Sequence, residues 1–143
     1  MSVKEQLESI LWYHQQERAK DVQIERLENL KRSLDGVSLI PVVPGKTPED
    51  QRKEVTFCID EMIHMLSRER YDLFSRRLNA IEMIRKLEDT KELIIMAHRY
   101  FVCSDWEKIA EFMKCSVDEV KQCHDKAVRH LEKIQKQAKK KTK

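Results

Sequence analysis

Seven polar side chains toward the C-terminal end carry the donors, acceptors and charges most suited to recognition: Lys114, Ser116, Asp118, Lys121, Gln122, Asp125 and Arg129. Positions 118, 121, 122, 125 and 129 recur at the three- and four-residue intervals that share one side of a helix. Lysine and arginine suit phosphate or the guanine edge, glutamine pairs with adenine, and a carboxylate can accept from cytosine. A row of such groups is the chemistry of a surface laid along base pairs, which makes these seven the candidate DNA contacts. No glycine-rich phosphate loop, metal-ligand cluster or nucleophile–base set occurs, so neither an enzyme nor a metal or cofactor site is expected.

Two helix starts must position that row. Ser104-Asp105-Trp106-Glu107 and Ser116-Val117-Asp118-Glu119 both read as capping boxes, with the serine hydroxyl accepting from the amide three residues on. Trp106, Ile109 and Ala110 are expected inside, and Ala110 is small where the two helices approach. Val117, Val120, Cys123 or His124, Ala127, Leu131 and Ile134 continue the packed side of the second helix, with His124 read as a packing residue rather than a DNA contact. A preceding helix, about 91–102, is predicted to bury Leu93, Ile94, Ala97, Tyr100 and Phe101. Two short helices across a tight turn form a helix-turn-helix, whose second helix can lie in a major groove.

Charge works against tight binding by a single copy. From Ser104 to Leu131 there are six acids and five bases. Asp118 and Glu119 favour the positive end of their helix but repel phosphate. Pairing two copies, or tethering to RNA polymerase, would restore affinity.

The rest of the chain reads as long helices. Val3 to about Leu34 forms the first, opened by Ser2 with Glu5. Its apolar stripes are Leu7, Ile10 and Leu11, then Val22, Ile24, Leu27, Leu30 and Leu34, on either side of a polar stretch, His14–Lys20, where it bends or changes partner. Gly36 is its natural stop. Both glycines and all three prolines lie within Gly36–Pro48, so a loop at about 36–47 is expected, its apolar run Val37–Val43 packed on a neighbouring surface. Thr47-Pro48-Glu49-Asp50 restarts the helix, predicted to run to about Leu87. Val55, Ile59, Met62 and Leu66, followed by Phe74, Leu78, Ile81 and Ile84, repeat at seam intervals. Such a rod, on the order of 60 Å long, needs the first helix folded back on it as a hairpin, or a second copy of the chain; self-association is expected because the first helix offers too few apolar residues to cover its whole length.

The expected class is therefore all-α: a long helical hairpin of coiled-coil character over residues 1–88, a helix-turn-helix over 89–136 and a basic flexible tail over 137–143. With 37% charged and 6% aromatic residues the chain suits two-sided helices better than a compact globule. Its net charge of +3 divides into about +5 from Glu132 onward, with six lysines and one glutamate, and about −2 before it. Cys58, Cys103, Cys115 and Cys123 form no Cys-x-x-Cys pair and follow no signal peptide, so small buried thiols in a reduced cytoplasmic protein are expected. No apolar run approaches the ~20 residues that span a bilayer.

The stretch Tyr100-Phe101, Ser104-Asp105-Trp106-Glu107-Lys108-Ile109-Ala110-Glu111, Ser116-Val117 and Val120-Lys121 resembles sigma-70 region 4-like modules. With Ile84-Arg85-Lys86-Leu87-Glu88-Asp89, Arg99-Tyr100 and Cys123-His124-Asp125-Lys126-Ala127-Val128 added, the chain is similar, over about residues 38–134, to ArpU-like and RinA-like late-gene regulators of Gram-positive bacterial phages. It departs from that pattern at Asp105, where serine or threonine is usual, at Lys114, where the turn carries glycine or asparagine, and at Cys123, where leucine stands. The resemblance implies a sigma-like transcription regulator of phage late genes such as packaging or lysis. Promoter DNA would be its partner, with host RNA polymerase and a second copy as further partners. Two other functions share some of these features: a DNA-packaging protein like a small terminase subunit, and a protein-binding adaptor whose helix-turn-helix no longer reads DNA.

Overall fold

A computed structural model describes residues 2–34 and 43–141. Among them it is all-helical: α1 (Val3–Ser33), α2 (Pro48–Ile81), α3 (Thr90–Tyr100), α4 (Trp106–Met113) and α5 (Val117–Lys141), with a single 3-10 turn at Ile84–Lys86. No helix of the described residues is long and apolar enough to cross a membrane.

Local chemistry sets most of these boundaries. The Ser2 hydroxyl accepts from the Glu5 amide at 3.2 Å, and the Thr47 hydroxyl from the Asp50 amide at 3.1 Å with Pro48 in first position, each satisfying an amide that no helical carbonyl can reach. The Asp89 carboxylate caps α3 through the Glu92 amide at 3.0 Å. Expected features at Gly36 and along the Val37–Val43 run lie outside the described residues, apart from Val43, which is exposed.

The second helix stops short of the predicted Leu87. It ends at Ile81, and the chain tightens into the 3-10 turn. Ile84 and Leu87, at and just after this turn, are both buried in the core. At the other end, the residues expected as a flexible tail continue α5 in helix as far as Lys141, since nothing between Gln135 and Lys141 breaks a helix.

The chain divides into two compact units, residues 1–14 with 74–143, and residues 15–73. This grouping differs from a division near residue 88. In the first unit, Val3, Leu7 and Ile10 join Ile84, Leu87, Met96, Tyr100, Ala127, Val128 and Leu131 in one cluster. Ile95, Ile109, Ala110 and Val120 form a second. In the other unit, ion pairs join Lys20 to Glu69 at 2.7 Å, Asp21 to Arg70 at 2.6 Å and Lys31 to Asp60 at 2.8 Å. Residue numbers rise along one helix as they fall along the other, so these stretches of α1 and α2 are antiparallel. Ile24, Leu34 and Ile59 are buried there.

The buried side of α3 is only partly the one expected: Tyr100 is buried and Leu93 packs part-buried on the core. Ile95, Met96, Tyr100 and Glu92 are buried, while Ile94 is exposed and Phe101 is 54% exposed. Adjacent isoleucines leave the helix phase ambiguous. Met96, Tyr100 and Ile95 pack into the two apolar clusters, and the Glu92 carboxylate on the same side lies 2.9 Å from His130 Nδ1 on α5. The cysteines also differ from expectation: Cys58 is exposed, and Cys103, Cys115 and Cys123 are part-exposed, all as free thiols.

Candidate nucleic-acid interface

The candidate residues lie on α5 and the turn before it. Ser116 caps the helix, its hydroxyl accepting from the Glu119 amide at 3.1 Å, as its spacing predicts. The start of α4 differs. Its cap is Asp105, whose carboxylate accepts from the Lys108 amide at 2.8 Å, whereas Ser104 serves through its carbonyl, which accepts from Arg99 at 3.1 Å. A carboxylate is as good a cap as a hydroxyl and adds charge at the positive helix end, so the box shifts by one residue without moving the helix.

Between α4 and α5 the chain reverses through Lys114, which adopts the left-handed conformation at φ 56. The Cys115 amide donates to the Ala110 carbonyl at 3.1 Å and the Lys114 amide to Glu111 at 3.3 Å, the paired bonds of a Schellman ending. That explains why glycine or asparagine would suit this position: a Cβ is disfavoured there.

Behind α5, one polar network links three helices. The Arg99 guanidinium stacks over the Trp106 ring at 4.4 Å. The His124 ring meets the edge of Trp106 at 5.1 Å, and its Nε2 lies 2.7 Å from the Tyr100 hydroxyl. Burial lowers the His124 pKa from 6.5, the nearby Asp125 only partly opposing it. Burial also pushes the Tyr100 hydroxyl up to about 12. The tyrosine therefore keeps its proton and donates a hydrogen bond to Nε2 of the neutral imidazole. That fixes the imidazole proton on Nδ1, which donates to Asp125 Oδ1 at 3.2 Å. Burial likewise raises the Cys123 thiol pKa, which favours the protonated thiol. Spacing alone gave His124 as a packing residue; the roles of Arg99 and Tyr100 were missed. Their sequence signals were Tyr100's place on the expected buried side of its helix and the Arg99-Tyr100 pair in the resemblance.

Lys114, Ser116, Asp118, Lys121, Gln122, Asp125 and Arg129 are all exposed. On α5, Asp118, Lys121, Gln122, Asp125 and Arg129 fall within an arc of about 100°, at 100° per residue, opposite the buried side formed by Val120, Ala127 and Leu131, with buried Val128 at the edge of the arc beside Lys121. Lys114 and Ser116 flank the helix start. Asp125 has a second task, since its carboxylate also holds His124. Continuing along the same side come Lys133, Lys136 and Lys140, all exposed; of these only Lys140 falls in the expected basic tail. The face is therefore acidic where α5 begins and basic from Arg129 onward. Compared with family models, curated proteins and solved structures, the chain matches none.

Proposed function

We propose that the protein is a sigma-like DNA-binding transcription regulator of phage or prophage origin, acting on late genes, in which α4 and α5 form a helix-turn-helix. The observation that carries this reading is the exposed polar face of α5, backed by the buried Val120–Leu131 side and by the Trp106 ring. Ser116, Asp118, Lys121, Gln122, Asp125 and Arg129 would approach base edges from the groove, with Lys114 at the rim. Arg129, Lys133, Lys136 and Lys140 would follow the phosphates along the helical extension. The carboxylates at the start of α5 keep single-copy affinity low, and pairing of two chains or contact with host RNA polymerase supplies the remainder.

Fluorescence anisotropy on promoter fragments, with and without polymerase and across a salt series, tests this. Binding should weaken as salt rises. Lys121→Ala and Arg129→Ala should each weaken it further and flatten the salt slope by about one ion per lost phosphate contact. The acidic Asp118-Glu119 start favours one competing function, the protein-binding adaptor. A regulator whose activity survives the double alanine variant, or a chain with no salt-sensitive affinity for any promoter, would decide for the adaptor.

A further inference from the structure

The unit of residues 15–73 has few buried apolar side chains, yet one side of α2 carries large ones in the open. Phe57 is 65% exposed, Met65 48% and Tyr71 68%. At 100° per residue, Phe57, Glu61, His64, Arg68 and Tyr71 share one stripe, with Met65 and Asp72 at its edge. The stripe lies opposite Ile59 and Leu66, which face the α1 segment. Glu61 and Arg68 are exposed, and among the described residues neither enters an ion pair with its own chain.

We infer that this stripe is the contact between two copies of the chain, with their α2 helices crossing antiparallel about a two-fold axis at His64–Met65. The order along the stripe is aromatic, acid, histidine–methionine, base, aromatic. Turned end for end, it matches itself. With the axis between residues 64 and 65, Glu61 of one copy faces Arg68 of the other, twice, and each Phe57 ring comes beside the partner copy's Tyr71. A two-fold contact needs one patch complementary to itself, and this one is. Parallel pairing would set Glu61 against Glu61 and Arg68 against Arg68, which like-charge repulsion disfavours. A foreign partner would have no reason to match this internal symmetry. The contact deepens the self-association part of the proposed function but does not depend on DNA recognition.

Sedimentation equilibrium on the full chain, without DNA, tests the contact. The mass should rise from 17.1 kDa toward twice that value across the micromolar range. Glu61→Arg or Arg68→Glu alone turns both attractive pairs repulsive and should raise the dimer dissociation constant about tenfold. The double variant, Glu61→Arg with Arg68→Glu, restores both pairs in swapped form and should return to near the original value. Both changed positions, Glu61 and Arg68, lie at the surface, and circular dichroism at matched concentration verifies that helix content is kept. A monomer at the highest concentration overturns the inference. So does a dimer indifferent to the single reversals, or a double variant as weak as the singles. Anisotropy on the same samples separates the two proposals: a dimer without DNA affinity removes the regulator and keeps the contact, and a DNA-binding monomer does the reverse.

Discussion

Two residues adopt a left-handed backbone that their side chains disfavour, Cys103 at φ 61 and Lys114 at φ 56. They flank α4 on either side. In each case the hydrogen bonds of the turn compensate: the Ser104 amide reaches the His98 carbonyl at 2.9 Å, as Cys115 reaches Ala110. Replacing Lys114 with glycine removes the Cβ penalty and should stabilise the chain by about 0.5–1 kcal/mol in urea unfolding. The same variant loses a cation at the rim of the α5 face, so under the regulator reading its DNA affinity should fall while its stability rises. A residue kept for folding alone would not separate the two measurements. His124 offers a second test through pH. Its folded-state pKa is lowered below 6.5 by burial, so between those values the unfolded chain binds the extra proton. Its contribution is complete above pH 6.5 and is lost as pH falls through the folded value. The stability gap between the native chain and His124→Gln should narrow on going from pH 8 to pH 5, as read from unfolding midpoints.

Within α4, neighbouring apolar residues have opposite fates. Ile109 is fully buried against Val120 and Ile95, whereas Phe112 stands 61% exposed, with the His98 ring beside it at 4.3 Å. Ile109→Ala should therefore cost about 2–4 kcal/mol and Phe112→Ala under about 1 kcal/mol, measured as shifts in denaturant midpoint at constant slope. The helices that the sequence made legible were those with both a cap and a period: Ser2, Thr47 and Ser116 sit at real starts, and Val120, Ala127 and Leu131 face inward as their spacing requires. What it hid were choices made between elements. Leu87 looked like the end of one long helix because Ile84 and Leu87 continue the seam period; only the core of α3 and α5 draws the chain into a turn there. The phase of α3 was equally hidden, since Ile94 and Ile95 both satisfy a helical stripe. The groups α3 packs against are remote in sequence: His130, beside Glu92, lies 38 residues away. Similarly, all seven candidate contacts emerge exposed, as their polarity suggests, while the Arg99, Tyr100, Trp106 and His124 network behind them depends on distances no local pattern encodes.

Across the whole molecule, apolar burial is unevenly shared. Among the described residues, three buried hydrophobic side chains belong to the unit of residues 15–73 and fourteen to the other. The smaller unit leans instead on ion pairs such as Lys31–Asp60, with both side chains more than 40% exposed, and exposed pairs contribute at most about 1 kcal/mol each. Helices so lightly packed open by local fluctuation well before a consolidated core does. Hydrogen–deuterium exchange should therefore show amides of 15–33 and 49–73 exchanging faster than those of α3 and the first half of α5. Concentration then distinguishes a unit that is merely loose from one built to be covered. If a second copy seats on the Phe57–Tyr71 stripe, raising the protein concentration should slow exchange around residues 57–71 while leaving the amides near Ile95 and Val128 unchanged, because mass action protects only what association buries or rigidifies. Equal slowing in both units would instead point to association through some other surface. No change at any concentration would mean that the smaller unit holds together on its ion pairs and sparse core alone.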